Sequence, residues 1–92
     1  MPYIKEVDRT YYAEEINSLV DKFVPMNEDL VKGHLNYVIF SVINGILKGK
    51  GMTYARAQDL IGGTLTCCQL ELYRRLMSPY EDKKCEENTD VI

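Results

Sequence analysis

An all-α protein is predicted, a long antiparallel helical hairpin with a shorter N-terminal helix, and three observations predict it. Apolar residues recur at helical spacing in three separate stretches, and proline or paired glycines stand at the joins between them. The middle stretch is apolar on more than one face, so a single neighbouring helix leaves part of it uncovered. That surplus predicts an oligomeric helical bundle, a homo-oligomer joined through the second and third helices.

The first helix is expected over residues 8–23. Asp8 is placed to cap it, and Tyr12, Ile16, Leu19, Val20 and Phe23 form its stripe. Pro25 ends it, because the residue before a proline is pushed out of the α region. In the following "PMNEDL", Asn27 is a good N-cap, and Glu28 and Asp29 suit the positive end of the helix dipole.

The second helix is expected over residues 28–48. Val31, Leu35, Val38, Val42 and Ile46 form its main stripe, broadened by Leu30, Ile39, Ile43 and Leu47. "KGKGM" breaks it, since two glycines within three residues allow a left-handed exit and a tight reversal. Thr53 caps a third helix over residues 53–77, whose stripe is Ala57, Leu60, Ile61, Leu65, Cys68, Leu72 and Leu76. Gly62 and Gly63 are costly inside a helix, about 1 kcal/mol each relative to alanine, and so suggest close approach by a backbone or a ligand. Pro79 is expected to end this helix. The first 7 residues and the tail, residues 79–92, carry no helical stripe and are expected to be extended. The 92 residues make one domain, with a core too small to stabilise a large monomer, since a chain of this length buries only about two-thirds of its unfolded surface.

Composition narrows the partners. An apolar share of 46% and a charged share of 27% fit a soluble globular protein. The net charge of −3 argues against binding a nucleic-acid backbone, which needs clustered Lys and Arg to displace counterions. The N-terminus has neither the layout of a signal peptide nor an uninterrupted apolar span, so a cytoplasmic protein without membrane contact is expected. Cys67, Cys68 and Cys85 are too few and too poorly spaced for a structural zinc site and are read as reduced, small apolar groups.

No enzyme, cofactor or metal site is expected. His34 is the only histidine, which leaves little room for a nucleophile–histidine arrangement and none for a multi-histidine metal site. The paired acids Glu14 and Glu15, Glu28 and Asp29, Glu81 and Asp82, and Glu86 and Glu87 read as solvated faces or helix starts. More informative are two polar lines at helical spacing: His34, Tyr37, Ser41, Asn44 and Lys48 on the second helix, and Gly62, Thr66, Gln69 and Tyr73 on the third. Such lines suit a partly wet groove, an oligomer interface or a solvated face. Arg74 and Arg75 close the third helix and project to different sides. One is expected to pair with an acid of the tail, and the other to fork an anionic group.

The motifs Leu35-Asn36-Tyr37, Tyr73-Arg74-Arg75, Pro79-Tyr80-Glu81-Asp82-Lys83-Lys84 and Glu87 to Ile92 resemble those of an uncharacterised family of small helical proteins from bacteriophages, prophages and some archaea. The resemblance spans nearly the whole chain, including the Met-Pro-Tyr-Ile opening. Thr89 stands where that family has glycine, and Ile92 where it usually has an aromatic residue. The resemblance implies no established activity. Analogy with small oligomeric phage proteins implies a binding protein, in the host cytoplasm, that sequesters a small anionic, nucleotide-derived immune signal at subunit boundaries. The ligand-binding residues expected on this reading are Asn36, Tyr37, Tyr73, Arg74, Arg75, Tyr80, Lys83 and Lys84. A structural or adaptor protein that binds another protein through its helical faces is the alternative.

Overall fold

The computed structural model describes residues 2–92; Met1, the first residue of the Met-Pro-Tyr-Ile opening, lies outside them. The protein is all-α, with no strand among the described residues. Its elements are α1 (Glu6–Arg9), α2 (Ala13–Phe23), α3 (Glu28–Lys50), α4 (Tyr54–Leu72), a π turn (Tyr73–Met77) and α5 (Ser78–Asn88). The chain divides into two compact units, Tyr3–Tyr54 and Ala55–Ile92 with Pro2.

In the unit Tyr3–Tyr54, the single helix expected over residues 8–23 is broken in two. α1 starts ahead of Asp8, at Glu6, and the chain then tightens. Tyr11, Tyr12 and Ala13 donate their amides three residues back, to Asp8, Arg9 and Thr10, at 3.3, 3.1 and 3.4 Å. The local sequence explains the tightening. Thr10, Tyr11 and Tyr12 are weak helix formers in succession, and the Thr10 hydroxyl donates to the Val7 carbonyl at 2.8 Å, occupying an acceptor of the preceding turn. Regular α bonding resumes where Ile16 donates to Tyr12.

α2 ends next to Pro25, but for a different reason from the one expected. Val24 keeps helical angles of −55° and −44°, so the proline does not force it out of the α region. The missing amide of Pro25 ends the ladder instead, and Met26 turns back to bond the Phe23 carbonyl at 3.0 Å.

Both ends of α3 follow the sequence. Asn27 is the N-cap, its side chain accepting from the Asp29 amide at 2.9 Å. At the other end Gly51 lies in the left-handed region at φ 57°. Its amide donates to Lys48, while the Met52 amide donates to Leu47 at 3.2 Å. This pair of bonds is a Schellman motif, which glycine adopts without a Cβ penalty. At 23 residues α3 is long and apolar enough, by length and composition, to cross a membrane. Lys32, His34, Asn36, Asn44 and Lys48 interrupt its apolar surface.

In the unit Ala55–Ile92, the C-terminal segment expected to be extended is helical over Ser78–Asn88. Pro79 does not end the helical path. The turn ahead of it widens instead, and Ser78 donates its amide to Tyr73, five residues back. A proline in a helix lacks an amide donor and its ring collides with the carbonyl four residues earlier, here that of Arg75. Widening by one residue makes room for the ring and lets Pro79 sit in the first turn of α5, where its missing amide has little consequence. Gly62 and Gly63 lie within α4, and a Cβ on either would meet nothing within 4 Å. The close approach that they suggested is not present in the single chain.

Among the described residues no side chain is buried.

Candidate functional site

The end of α4 and the π turn gather one carboxylate and two guanidinium groups. Glu71, in the last turn of α4, has a side chain that is only 16% exposed and serves as a shared acceptor for two arginines. Arg74 forks it side-on, donating from Nη2 to Oε1 at 2.6 Å and from Nε to Oε2 at 3.1 Å. Arg75 donates from Nε to the same Oε1 at 3.0 Å. Spacings of three and four residues bring both arginines to the glutamate's face of the helix.

Both arginines share an acceptor that lies upstream of them. Sequence reasoning missed Glu71, although Glu-x-x-Arg-Arg is a legible pattern for such a cluster. The arginine side chains remain 65% and 61% exposed. Exposed ion pairs of this kind contribute about 0–1 kcal/mol each to stability. Their main effect here is to restrict the rotamers of two long side chains.

The remaining expected site residues of this unit lie on the same helical path. Tyr73 opens the π turn. Tyr80 and Lys84 stand one turn apart on α5, with Lys84 Nζ 5.6 Å from the centre of the Tyr80 ring, within cation–π range. Lys84 also pairs with Glu87 at 3.2 Å. Lys83 is exposed beside it. Asn36 and Tyr37 lie on α3, in the unit Tyr3–Tyr54, and both are exposed. Of the polar line on α3, only Asn44 is half-buried; His34, Tyr37, Ser41 and Lys48 are exposed.

An open groove lies at the N-terminus, lined by Ile4, Val7, Asp8, Tyr11 and Tyr12. The Tyr11 and Tyr12 rings meet edge to face at 5.1 Å and 83°. Its lining is apolar and aromatic with one acid, which does not suit an anion. Cys67, Cys68 and Cys85 carry free thiols. Among the described residues no group of three or more His, Cys, Asp or Glu side chains is placed to hold a metal ion.

Residues 1–91 match the family model described as a domain of unknown function, DUF6899. The chain belongs to the DUF6899 family. The match takes in the whole of the Glu71–Arg74–Arg75 cluster, the π turn and α5, and stops one residue short of Ile92. No curated protein and no solved structure matches this DUF6899 chain.

Proposed function

We propose that this DUF6899 protein is a non-enzymatic binding protein that sequesters a small anionic, nucleotide-derived molecule, acting as an assembly of copies. The observation that carries this reading is the pair of exposed arginines ordered on Glu71. A guanidinium matches phosphate oxygens in bidentate fashion, and one whose rotamer is already restricted loses less entropy when it binds. Tyr73 and Tyr80 supply aromatic faces of the kind that stack on a base, each with half or more of its surface exposed. Lys83 and Lys84 add positive charge on α5. Asn36 and Tyr37 are kept as a separate candidate contact on α3. The overall negative charge favours a small ligand over a nucleic-acid backbone.

A bacteriophage origin, residence in the host cytoplasm and action against an immune signal belong to the same reading. They rest on the motif resemblance of Leu35 to Tyr37 and of Pro79 to Lys84. The test is a panel of cyclic nucleotides and ADP-ribose derivatives, scored by the shift in melting temperature. At least one member should raise it, and the rise should disappear in Arg75→Ala.

The second reading, an adaptor for another protein, is favoured by one observation. Ile61, Leu65, Leu72 and Leu76 form an apolar line along α4 and the π turn and remain 38–63% exposed. No shift with any nucleotide of the panel supports the adaptor.

A further inference from the structure

Leu35, Ile39, Val42 and Ile46 follow one another along α3 at spacings of four, three and four, the repeat that keeps side chains on a single seam of a helix. They remain 43%, 38%, 55% and 39% exposed. The two flanking positions at each centre are Asn36, Val38, Ile43 and Gly45, none of them charged. A second helix can therefore approach the seam without desolvating a charge along its length.

We propose that a second copy of this chain covers the α3 seam, with the two α3 helices running antiparallel about a two-fold axis between Ile39 and Val42. This rests on the reading of the protein as an assembly and deepens it by naming the surface and its orientation.

Charge decides the orientation. The first turns of α3 hold Glu28, Asp29 and Lys32, net negative, and its last turn holds Lys48 and Lys50. Antiparallel pairing brings each negative end to a positive one and also opposes the helix dipoles. Parallel pairing sets like against like at both ends. In the antiparallel arrangement Leu35 of one copy faces Ile46 of the other, and Ile39 faces Val42, so the contact is self-complementary.

The experiment uses the full chain in analytical ultracentrifugation, with circular dichroism on the same samples. The wild type should sediment as two or more chains. The double variant Ile39→Glu, Val42→Glu should sediment as one, with helical dichroism retained, while Phe40→Ser, away from the seam, should stay assembled. Orientation is read by cross-linking in a background with Cys67, Cys68 and Cys85 changed to serine. Leu35→Cys chains mixed with Ile46→Cys chains should form the mixed disulfide, and neither should link efficiently to itself.

An assembled double variant, or self-linked Leu35→Cys, overturns the proposed surface while leaving self-association standing. A monomeric wild type overturns both. Flotation of the wild type with phosphatidylcholine–phosphatidylglycerol vesicles, with no soluble assembly, also overturns the proposal, in favour of a lipid occupant. Nucleotide binding, measured on the same chains, reports separately on the Arg74–Arg75 site.

Discussion

Ser78 donates its backbone amide to the carbonyl of Tyr73, five residues back instead of four, immediately before Pro79. This one wide turn sets the angular position of Arg74 and Arg75 relative to Tyr80 and Lys84. Replacing the proline removes the reason for the widening. Pro79→Ala should let residues 73–80 relax toward a regular α-helix, with mean residue ellipticity at 222 nm equal to or greater than wild type. The same change rotates α5 relative to α4 by roughly one residue, about 100°. Any nucleotide that shifts the melting temperature of the wild type should therefore bind Pro79→Ala more weakly. Unchanged affinity would show that α5 and the arginines do not act on one ligand.

Glu71 and the two arginines should separate stability from binding. Arg74 and Arg75 are more than half exposed, so loss of either ion pair should change the unfolding free energy by only about 0–1 kcal/mol. Arg75→Ala and Arg74→Ala should nevertheless weaken phosphate-bearing ligands by about tenfold or more, since a charge-assisted hydrogen bond is worth about 1.5–3 kcal/mol. Urea unfolding and titration calorimetry on the same preparations supply the two numbers. A large loss of stability with no change in affinity would assign the cluster to holding the helix end.

Thr89 follows α5 at φ 64° and ψ 155°. Among the described residues it is the only non-glycine residue at positive φ. A β-branched side chain in this region is strained, by on the order of 1–3 kcal/mol. Thr89→Gly should therefore stabilise the end of α5, offset in part by the greater freedom of glycine in the unfolded chain. Amides of Glu86 to Asn88 should exchange more slowly in the variant, and equal or faster exchange would remove the strain argument.

What the sequence made legible was set by local chemistry. Asn27 and Gly51 mark the ends of α3 because a side-chain acceptor and a left-handed backbone are properties of single residues. The three apolar stripes carried the all-α class for the same reason. The π turn was hidden because Pro79 reads equally well as the end of one helix or as the first turn of the next. Only the i to i+5 bond ahead of it distinguishes the two. Thr10 to Tyr12 concealed a break in a similar way, since the apolar period runs through it while the hydrogen bonds do not. At the candidate site, Arg74 and Arg75 stood out by charge, but their shared acceptor lies upstream, where a lone glutamate among apolar residues drew no notice. Gly62 and Gly63 gave a signal of close approach that the single chain does not answer.

Those two glycines supply a test in their own right. With open space where each Cβ would stand, Gly62→Ala and Gly63→Ala should each stabilise the helix by up to about 1 kcal/mol. Chemical denaturation measures the gain. A loss, particularly one accompanied by a change in sedimentation, would place a neighbouring copy against this part of α4.

The last expectation concerns α5. It has 11 residues, and five of its side chains, Glu81, Asp82, Lys83, Lys84 and Glu86, are charged before the Glu87–Asn88 end is reached. An isolated helix of that length and composition is marginal in water, because nucleation is unfavourable and few bonds repay it. α5 avoids the nucleation cost by continuing the path of α4 through the π turn, and the Tyr80–Lys84–Glu87 line adds contacts one turn apart. Hydrogen exchange on the free protein should thus show protection at the amides of Asp82 to Cys85, declining toward Asn88 as the end frays. Deleting Cys85 to Ile92 removes the Glu87 partner and the last turn, and should reduce protection at Asp82 and Lys83 while leaving α4 protected. If the amides from Glu81 onward exchange at the unprotected rate in the intact chain, α5 is not a stable helix in solution, and Tyr80, Lys83 and Lys84 drop out of the candidate site.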